Sequence, residues 1–196
     1  MDYPFYLLKL AQLPVELLTQ VKELYNERNI IDHPHFPTKE RNPGTFRLND
    51  PYVNQIVELV TAFLNPFIEK SRLYWHEVNL ITPKGILGEH SDLAYAGYNR
   101  QRGNAQEIIL THKIHVHISG DSRLNFRRSK YEPITTFSPD EGGCYWYNNY
   151  VLHSSHNPSA DINRVALSLI YHDPKWDLRF KLFDEHGFLF QKSYQL

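Results

Sequence analysis

The sequence predicts a mainly β fold, a jelly roll (double-stranded β-helix, cupin-like) with flanking α-helices on its N-terminal side. Apolar residues recur at helical spacing in the first third of the chain, and short runs with the two-residue period of strands follow from residue 73 onwards. The chain has 196 residues, 41% of them hydrophobic and 14% aromatic, which is enough for one sizeable core. We therefore expect a single domain over 1–196, with a helical part over about 1–72 and a jelly-roll core over about 73–185.

Two helices are expected in the N-terminal part. Over 13–26 the apolar positions form one stripe, at Leu17, Val21 and Leu24. Residues 29–50 are rich in Pro, Asn, His and Asp and are expected to form a loop. The second helix is expected to begin after Asp50, as its N-cap, and to run to about residue 67.

The strands are expected in runs rich in β-branched and aromatic residues. These runs are 73–82, 111–118, 122–127, 132–137, 143–147, 164–171 and 177–183. In 111–118, alternation places Ile114, Val116 and Ile118 on one face and Lys113, His115 and His117 on the other. In 164–171, the same rule places Arg164, Ala166, Ser168 and Ile170 together, opposite Val165, Leu167, Leu169 and Tyr171.

Charge and cysteine content exclude several classes of protein. The formal net charge is −1, from 21 basic and 22 acidic side chains, so we expect neither nucleic acid nor a membrane surface as partner. Cys144 is the single cysteine, which excludes an intramolecular disulfide and a cysteine-based zinc site. The first residues lack the features of a signal peptide, and we expect a cytoplasmic protein.

A metal site is indicated by His90-Ser91-Asp92, because side chains two residues apart on an extended chain point the same way. One imidazole and one carboxylate, joined by a distant histidine, would form the 2-His-1-carboxylate triad of non-haem Fe(II) oxygenases. His153, which follows a strand-like run, is the preferred third ligand. His156 competes for this position, and the spacing does not exclude it.

A carboxylate anchor is indicated by Arg164, eleven residues after His153 at the head of a strand. The planar guanidinium suits a carboxylate, and Ser168 on the same strand face can add a hydroxyl donor. The order of these residues along a β-rich chain therefore supplies a metal site and a dicarboxylate anchor together.

With these motifs the chain resembles the Fe(II)/2-oxoglutarate-dependent oxygenase superfamily. The nearest branch is the aspartyl/asparaginyl β-hydroxylase-like one, which includes proline cis-4-hydroxylase-type enzymes. The resemblance covers roughly residues 73 to 173 and rests on HSD (90–92), KIHVHI (113–118), EGGCYWYNNYVLHS (141–154) and NRVALSLIYH (163–172). The family usually has Arg where this chain has Lys113.

The resemblance implies an enzyme that binds Fe(II), 2-oxoglutarate and O2 and hydroxylates an unactivated C–H bond, releasing succinate and CO2. It implies that the iron ligands are His90, Asp92 and His153, that Arg164 binds the distal carboxylate of 2-oxoglutarate, and that Lys113 and His115 lie near this cosubstrate.

The prime substrate is expected to be an amino acid or other small molecule, or a protein side chain. Residues 94–108 form a long polar insertion of the kind that covers active sites, and its Arg100 and Arg102 could meet a substrate carboxylate. Trp146 is a further candidate substrate contact, although an aromatic run of this kind is more often core. The alternatives are a cupin-like metal-binding protein without turnover, or a metal-dependent enzyme that needs no 2-oxoglutarate.

Overall fold

The structure is a computed structural model that describes residues 7–25, 45–48, 53–90, 111–127, 130–147 and 152–172. Within these ranges the helices are α1 (Val15–Leu24), α2 (Asn54–Leu64) and a short 3-10 helix (Lys70–Arg72). The strands are β1 (Leu7–Gln12), β2 (Thr45–Leu48), β3 (Leu73–Ile81), β4 (Ile86–His90), β5 (Thr111–Ser119), β6 (Arg123–Arg127), β7 (Thr135–Phe137), β8 (Gly143–Tyr147), β9 (Leu152–His156) and β10 (Arg164–His172). No helix of the described part is long and apolar enough to span a membrane.

The strands form two antiparallel sheets. The larger has six strands in the order β1-β8-β5-β10-β3-β2, and the smaller has four in the order β4-β9-β6-β7. Chain neighbours are often separated in the sheets, as expected when strands alternate between the two layers of a jelly roll. The predicted mainly β fold with N-terminal helices is therefore confirmed.

Both helices pack on the outer face of the larger sheet. Their apolar stripes, which include Val21, Val60 and Leu64, join a core cluster with residues from β3, β5, β8 and β10. A smaller cluster lies between the sheets, formed by Leu7, Leu124, Phe126, Tyr145 and Tyr147. The larger sheet is thus covered on both faces. The space between the sheets holds fewer apolar and more polar side chains than the core under the helices.

Alternation along the two central strands is as predicted. Ile114, Val116 and Ile118 belong to the outer cluster, as do Val165, Leu167, Leu169 and Tyr171. The intervening residues of β5 and β10 face the smaller sheet.

Several predicted elements differ from the structure. The N-terminal part is not purely helical, because β1 and β2 lie in it and form the two edges of the larger sheet. β2 falls within the loop expected over 29–50. The second helix has Val53 at its N-cap position, so the prediction of Asp50 as the cap was wrong. The strand expected at 177–183 lies outside the described residues.

Gly120, in the turn after β5, has a φ of +79°. A Cβ there would lie 2.2 Å from the carbonyl oxygen of Asn163, so glycine is what allows this turn to approach the residue before Arg164.

Candidate functional site

A pocket lies between the two sheets. One wall belongs to the larger sheet and the other to the smaller sheet. The lining residues are Asn79, Leu87, Lys113, His115, Leu124, Phe126, Tyr147, His153, Ser154, Ser155, Arg164 and Ser168. No carboxylate stands among the described lining residues, whereas Lys113 and Arg164 each bring a cation.

Strand register explains which residues of the larger sheet meet in the pocket. Ser168 of β10 lies directly opposite His115 of β5, and Arg164 precedes Ser168 by four residues on the same face. Ile170 lies opposite Lys113. Because paired residues of neighbouring strands share a face, the polar sides of β5 and β10 combine into one polar wall.

Arg164 is 2% exposed. Its Nε donates to Ser122 Oγ at 3.2 Å, and its Nη2 donates to His115 Nε2 at 3.3 Å. Burial lowers the pKa of the guanidinium from 12.5 to about 10. No carboxylate of the described ranges forms an ion pair with it. The chain thus buries a positive charge that has only neutral protein partners within those ranges, which is costly unless a bound anion compensates it.

His115 is neutral in this environment. Burial first, and then the charges of Arg164, His117 and Lys113, hold its pKa well below the usual value. Since an arginine can only donate, Nε2 of His115 accepts and the ring proton lies on Nδ1.

His117 lies on the same face of β5 as Lys113 and His115. Its Nε2 donates to the carbonyl of Gly120 at 2.8 Å, and it is absent from the pocket lining. Burial, with the charge of Arg164 second, lowers its pKa to about 4.

Ser168 is held by a neighbour that the sequence analysis missed. Asn79 of β3 donates from Nδ2 to Ser168 Oγ at 2.9 Å. The serine hydroxyl therefore keeps its own hydrogen for another acceptor. The sequence did contain an indication of this role. Asn79 is a polar residue among the apolar residues Val78, Leu80 and Ile81 of a predicted strand. Ser122 was missed as well, and its sequence context offered no comparable signal.

The opposite wall contains His153, and the neighbouring strand β4 places His90 against it, although His90 is not itself among the lining residues. His90, at the end of β4, lies directly opposite His153 of β9, and their ring centroids are 4.4 Å apart. His90 Nδ1 donates to the carbonyl oxygen of Gly88 at 2.7 Å, which orients the imidazole ring. Such a backbone acceptor commonly orients a metal-binding imidazole.

Within the smaller sheet, an ion pair links the end of β4 to β6, on the far side of β9. Arg127 of β6 donates from Nε to Glu89 Oε1 at 2.6 Å, and its Nη2 contacts the second carboxylate oxygen. This forked contact lies one residue from His90 and therefore helps to hold the strand that carries it.

Aromatic rings surround His153. The Tyr147 ring lies 5.2 Å and the Phe126 ring 6.5 Å from it, centroid to centroid. These contacts leave the imidazole 5% exposed in a largely apolar setting, where a polar ligand would meet little competing water.

His153 was expected to follow a strand, but it lies within β9, and His156 is the last residue of the same strand. Three residues apart on an extended strand, they point to opposite faces. His153 faces the pocket, and His156 is absent from its lining.

The remaining predicted residues lie elsewhere. Trp146 is in the outer core cluster, where its Nε1 donates to His112 Nδ1 at 2.9 Å. It therefore does not line the pocket, although it was a candidate for contact with the substrate. Asp92, Arg100 and Arg102 lie outside the described residues. Among the residues that are described, no group of three or more His, Cys, Asp or Glu side chains could hold a metal ion.

No protein-family model matches the chain, and no curated protein matches it in sequence. Solved structures share its fold at low identity. The chain is similar to SnoN, a non-heme α-ketoglutarate-dependent epimerase from nogalamycin biosynthesis, with a TM-score of 0.61 and 15% identity over 82% of this chain and 74% of that one.

Further solved structures show the same likeness. An oxidoreductase of the 2OG-Fe(II) oxygenase family from Burkholderia pseudomallei has a TM-score of 0.53 and 13% identity, covering 83% of this chain and 81% of that one. HygX from Streptomyces hygroscopicus, with nickel, 2-oxoglutarate and hygromycin B bound, has a TM-score of 0.54 and 10% identity, covering 86% and 82%. At these identities the likeness establishes a shared jelly-roll fold.

Proposed function

We propose that this chain is an Fe(II)- and 2-oxoglutarate-dependent oxygenase that uses O2 to hydroxylate an unactivated C–H bond, releasing succinate and CO2. The observation that carries the proposal is the pairing of two features in one pocket. One wall holds His153, which lies opposite His90 on the neighbouring strand, and the other wall buries Arg164 without a carboxylate partner in the described ranges.

The metal ligands in this proposal are His90, Asp92 and His153. The observed donors fit such an ion, because His90 presents the nitrogen remote from its backbone hydrogen bond and His153 lies directly across the strand pair. Asp92 follows His90 by two residues and would supply the carboxylate. His156 is a poorer ligand candidate because it lies on the opposite face of β9.

The cosubstrate would be held by the polar wall of the larger sheet. Arg164 would pair with the distal carboxylate of 2-oxoglutarate, and Ser168 would donate its hydroxyl hydrogen to the same group. On the adjacent strand, Lys113 would add a second positive charge for a dianion, and the neutral His115 would complete the polar lining.

Bound Fe(II) and 2-oxoglutarate would supply the oxidising chemistry, since decarboxylation of the cosubstrate to succinate accompanies the reduction of O2 and the hydroxylation. The side chains of this protein have other tasks. Arg164 and Ser168 orient the cosubstrate, and Leu87, Leu124 and Phe126 exclude water from the pocket.

Solved structures of the same fold are consistent with this cofactor set. SnoN has been crystallised with Fe3+, α-ketoglutarate and nogalamycin RO, and HygX with nickel, 2-oxoglutarate and hygromycin B. Their fold therefore accommodates a metal, this cosubstrate and a small-molecule substrate together.

For the prime substrate we propose a free amino acid or other small molecule, with a residue of a protein as the alternative. This proposal follows the resemblance of the motifs to the aspartyl/asparaginyl β-hydroxylase-like branch. Arg100 and Arg102 are proposed as substrate contacts from the loop over 94–108.

The test combines a binding signal with a turnover screen. Anaerobic protein should develop a weak visible absorption band when Fe(II) and 2-oxoglutarate are both present, and succinate release should be screened across free amino acids and peptides.

His153→Ala should lose both signals, whereas the matched variant His156→Ala, altered on the other face of the same strand, should keep them. Equal succinate release by wild type and His153→Ala on a true substrate would refute the proposed metal site. Absence of both signals in wild type would favour a cupin-like binding protein.

A further inference from the structure

We infer that Ser122 and His115 are positioning residues for Arg164, which hold its guanidinium with neutral acceptors and so reserve its charge for a bound carboxylate. The inference rests on the proposed function and concerns residues that do not themselves need to touch the metal or the prime substrate.

Ser122 joins the two walls of the pocket. It precedes β6 of the smaller sheet, whereas Arg164 opens β10 of the larger sheet, and the 3.2 Å bond from Nε to the serine oxygen crosses between them. Ser122 is 6% exposed, so water competes little for this bond. The serine therefore fixes the rotation of the guanidinium relative to the pocket.

His115 supplies the second acceptor from the neighbouring strand of the larger sheet. Its Nε2 lies 3.3 Å from Arg164 Nη2. It lies opposite Ser168 in the ladder, so the histidine that contacts the arginine also lies beside the hydroxyl that would share the same carboxylate.

Arg164 keeps several N–H donors for a ligand after it has bound Ser122 and His115. A guanidinium has five N–H groups. Ser122 and His115 occupy one each, which leaves three: both on Nη1 and one on Nη2. A carboxylate can therefore still form a two-pronged contact with Nη1 and Nη2.

Both acceptors of Arg164, the Ser122 hydroxyl and the His115 imidazole, are neutral. A carboxylate at either position would give Arg164 a permanent counter-ion in the protein and would compete with the carboxylate of a ligand. Neutral acceptors orient the cation and leave its charge uncompensated until an anion enters.

The experiment measures glutarate binding to the metal-free protein by isothermal titration calorimetry, which reports on the anchor without requiring turnover. The informative variants are Ser122→Asp and Ser122→Asn, because they have nearly the same size and differ in charge. Ser122→Asp should weaken glutarate binding at least about tenfold relative to Ser122→Asn, while raising the melting temperature of the ligand-free protein above that of Ser122→Asn. A merely structural serine would not move stability and binding in opposite directions.

The same contrast is expected for His115→Glu against His115→Gln. Ser159→Ala serves as the control for general destabilisation, because the Ser159 side chain hydrogen-bonds Asp161 and Ile162 in the loop before β10, whereas Arg164 hydrogen-bonds Ser122 and His115. Its glutarate affinity should equal that of wild type.

The outcomes separate this inference from the proposed function. Equal glutarate affinity in Ser122→Asp and Ser122→Asn would overturn the positioning role. If wild type releases succinate but glutarate does not bind, the carboxylate anchor lies elsewhere and the inference fails alone. If wild type shows neither dicarboxylate binding nor turnover, the proposed function fails with it.

Discussion

Replacement of Arg164 by methionine should separate the stability of this fold from its ligand binding. The fall in the pKa of Arg164 from 12.5 to about 10 corresponds to a cost of roughly 3 kcal/mol for keeping the guanidinium charged in the folded protein. Arg164→Met removes this cost. It also removes the hydrogen bonds to Ser122 and His115, each worth about 1 kcal/mol net. The free energy of unfolding of the metal-free protein should therefore stay within about 1 kcal/mol of the wild-type value, or rise.

The stabilisation of the folded protein by 2-oxoglutarate should be largely lost in Arg164→Met. A ligand at a hundred times its dissociation constant stabilises a protein by about 2.7 kcal/mol, and Arg164→Met should lose most of this gain. Urea unfolding with and without 2-oxoglutarate measures both quantities. Arg123→Met is the matched control, since Arg123 is exposed at the start of β6 and outside the pocket, and it should keep the full ligand response.

One result would refute the reasoning. A loss of roughly 3 kcal/mol or more in the ligand-free Arg164→Met protein is the size expected when a buried ion pair is broken. It would mean that the charge of Arg164 is already balanced within the protein, and the argument for a ligand anion would fall.

Two further predictions concern pH and the loop before β10. His117 has a folded pKa of about 4 against 6.5 for the unfolded chain, so the unfolded state binds more protons between these values and stability should fall by up to roughly 3 kcal/mol as pH drops from about 6.5 to 4. Urea unfolding at several pH values should show this slope, and His117→Gln should reduce it; an unchanged slope would contradict the assignment. Asn157 is fully buried and its Nδ2 donates to the carbonyls of Ile81 and Ile162, at 2.9 and 2.7 Å. Asn157→Ala should therefore cost about 2–4 kcal/mol of unfolding free energy, and a loss below about 1 kcal/mol would show that water replaces these bonds.

Alternation allowed the central strands to be predicted well. Over 113–118, β5 alternates polar or basic residues with β-branched ones. β10 places Val165, Leu167, Leu169 and Tyr171 on one face and Arg164 and Ser168 on the other, so the location and the two faces of both strands followed from the sequence. The expected grouping of Arg164 with Ser168, and of Lys113 with His115, agrees with the observed pocket lining.

The strands that carry the histidine pair were missed. β4 (ILGEH) and β9 (LHSSH) are short and contain few residues with high β propensity. They are extended because they pair with each other, and β9 also pairs with β6. Local sequence cannot reveal such pairing, and the same reason explains why the edge strands β1 and β2 were missed.

The sequence by itself determined the fold class, the two faces of the central strands and the chemical types present: imidazoles, a guanidinium and hydroxyls at strand spacing. The tertiary structure decided which of these residues meet. It brought His90 opposite His153, turned His156 to the other face, placed Trp146 in the outer core, and supplied Ser122 and Asn79 as partners of Arg164 and Ser168. The physical reason is that periodicity along a strand sets the direction of a side chain, whereas its neighbours depend on pairing and packing between strands that are distant in the chain.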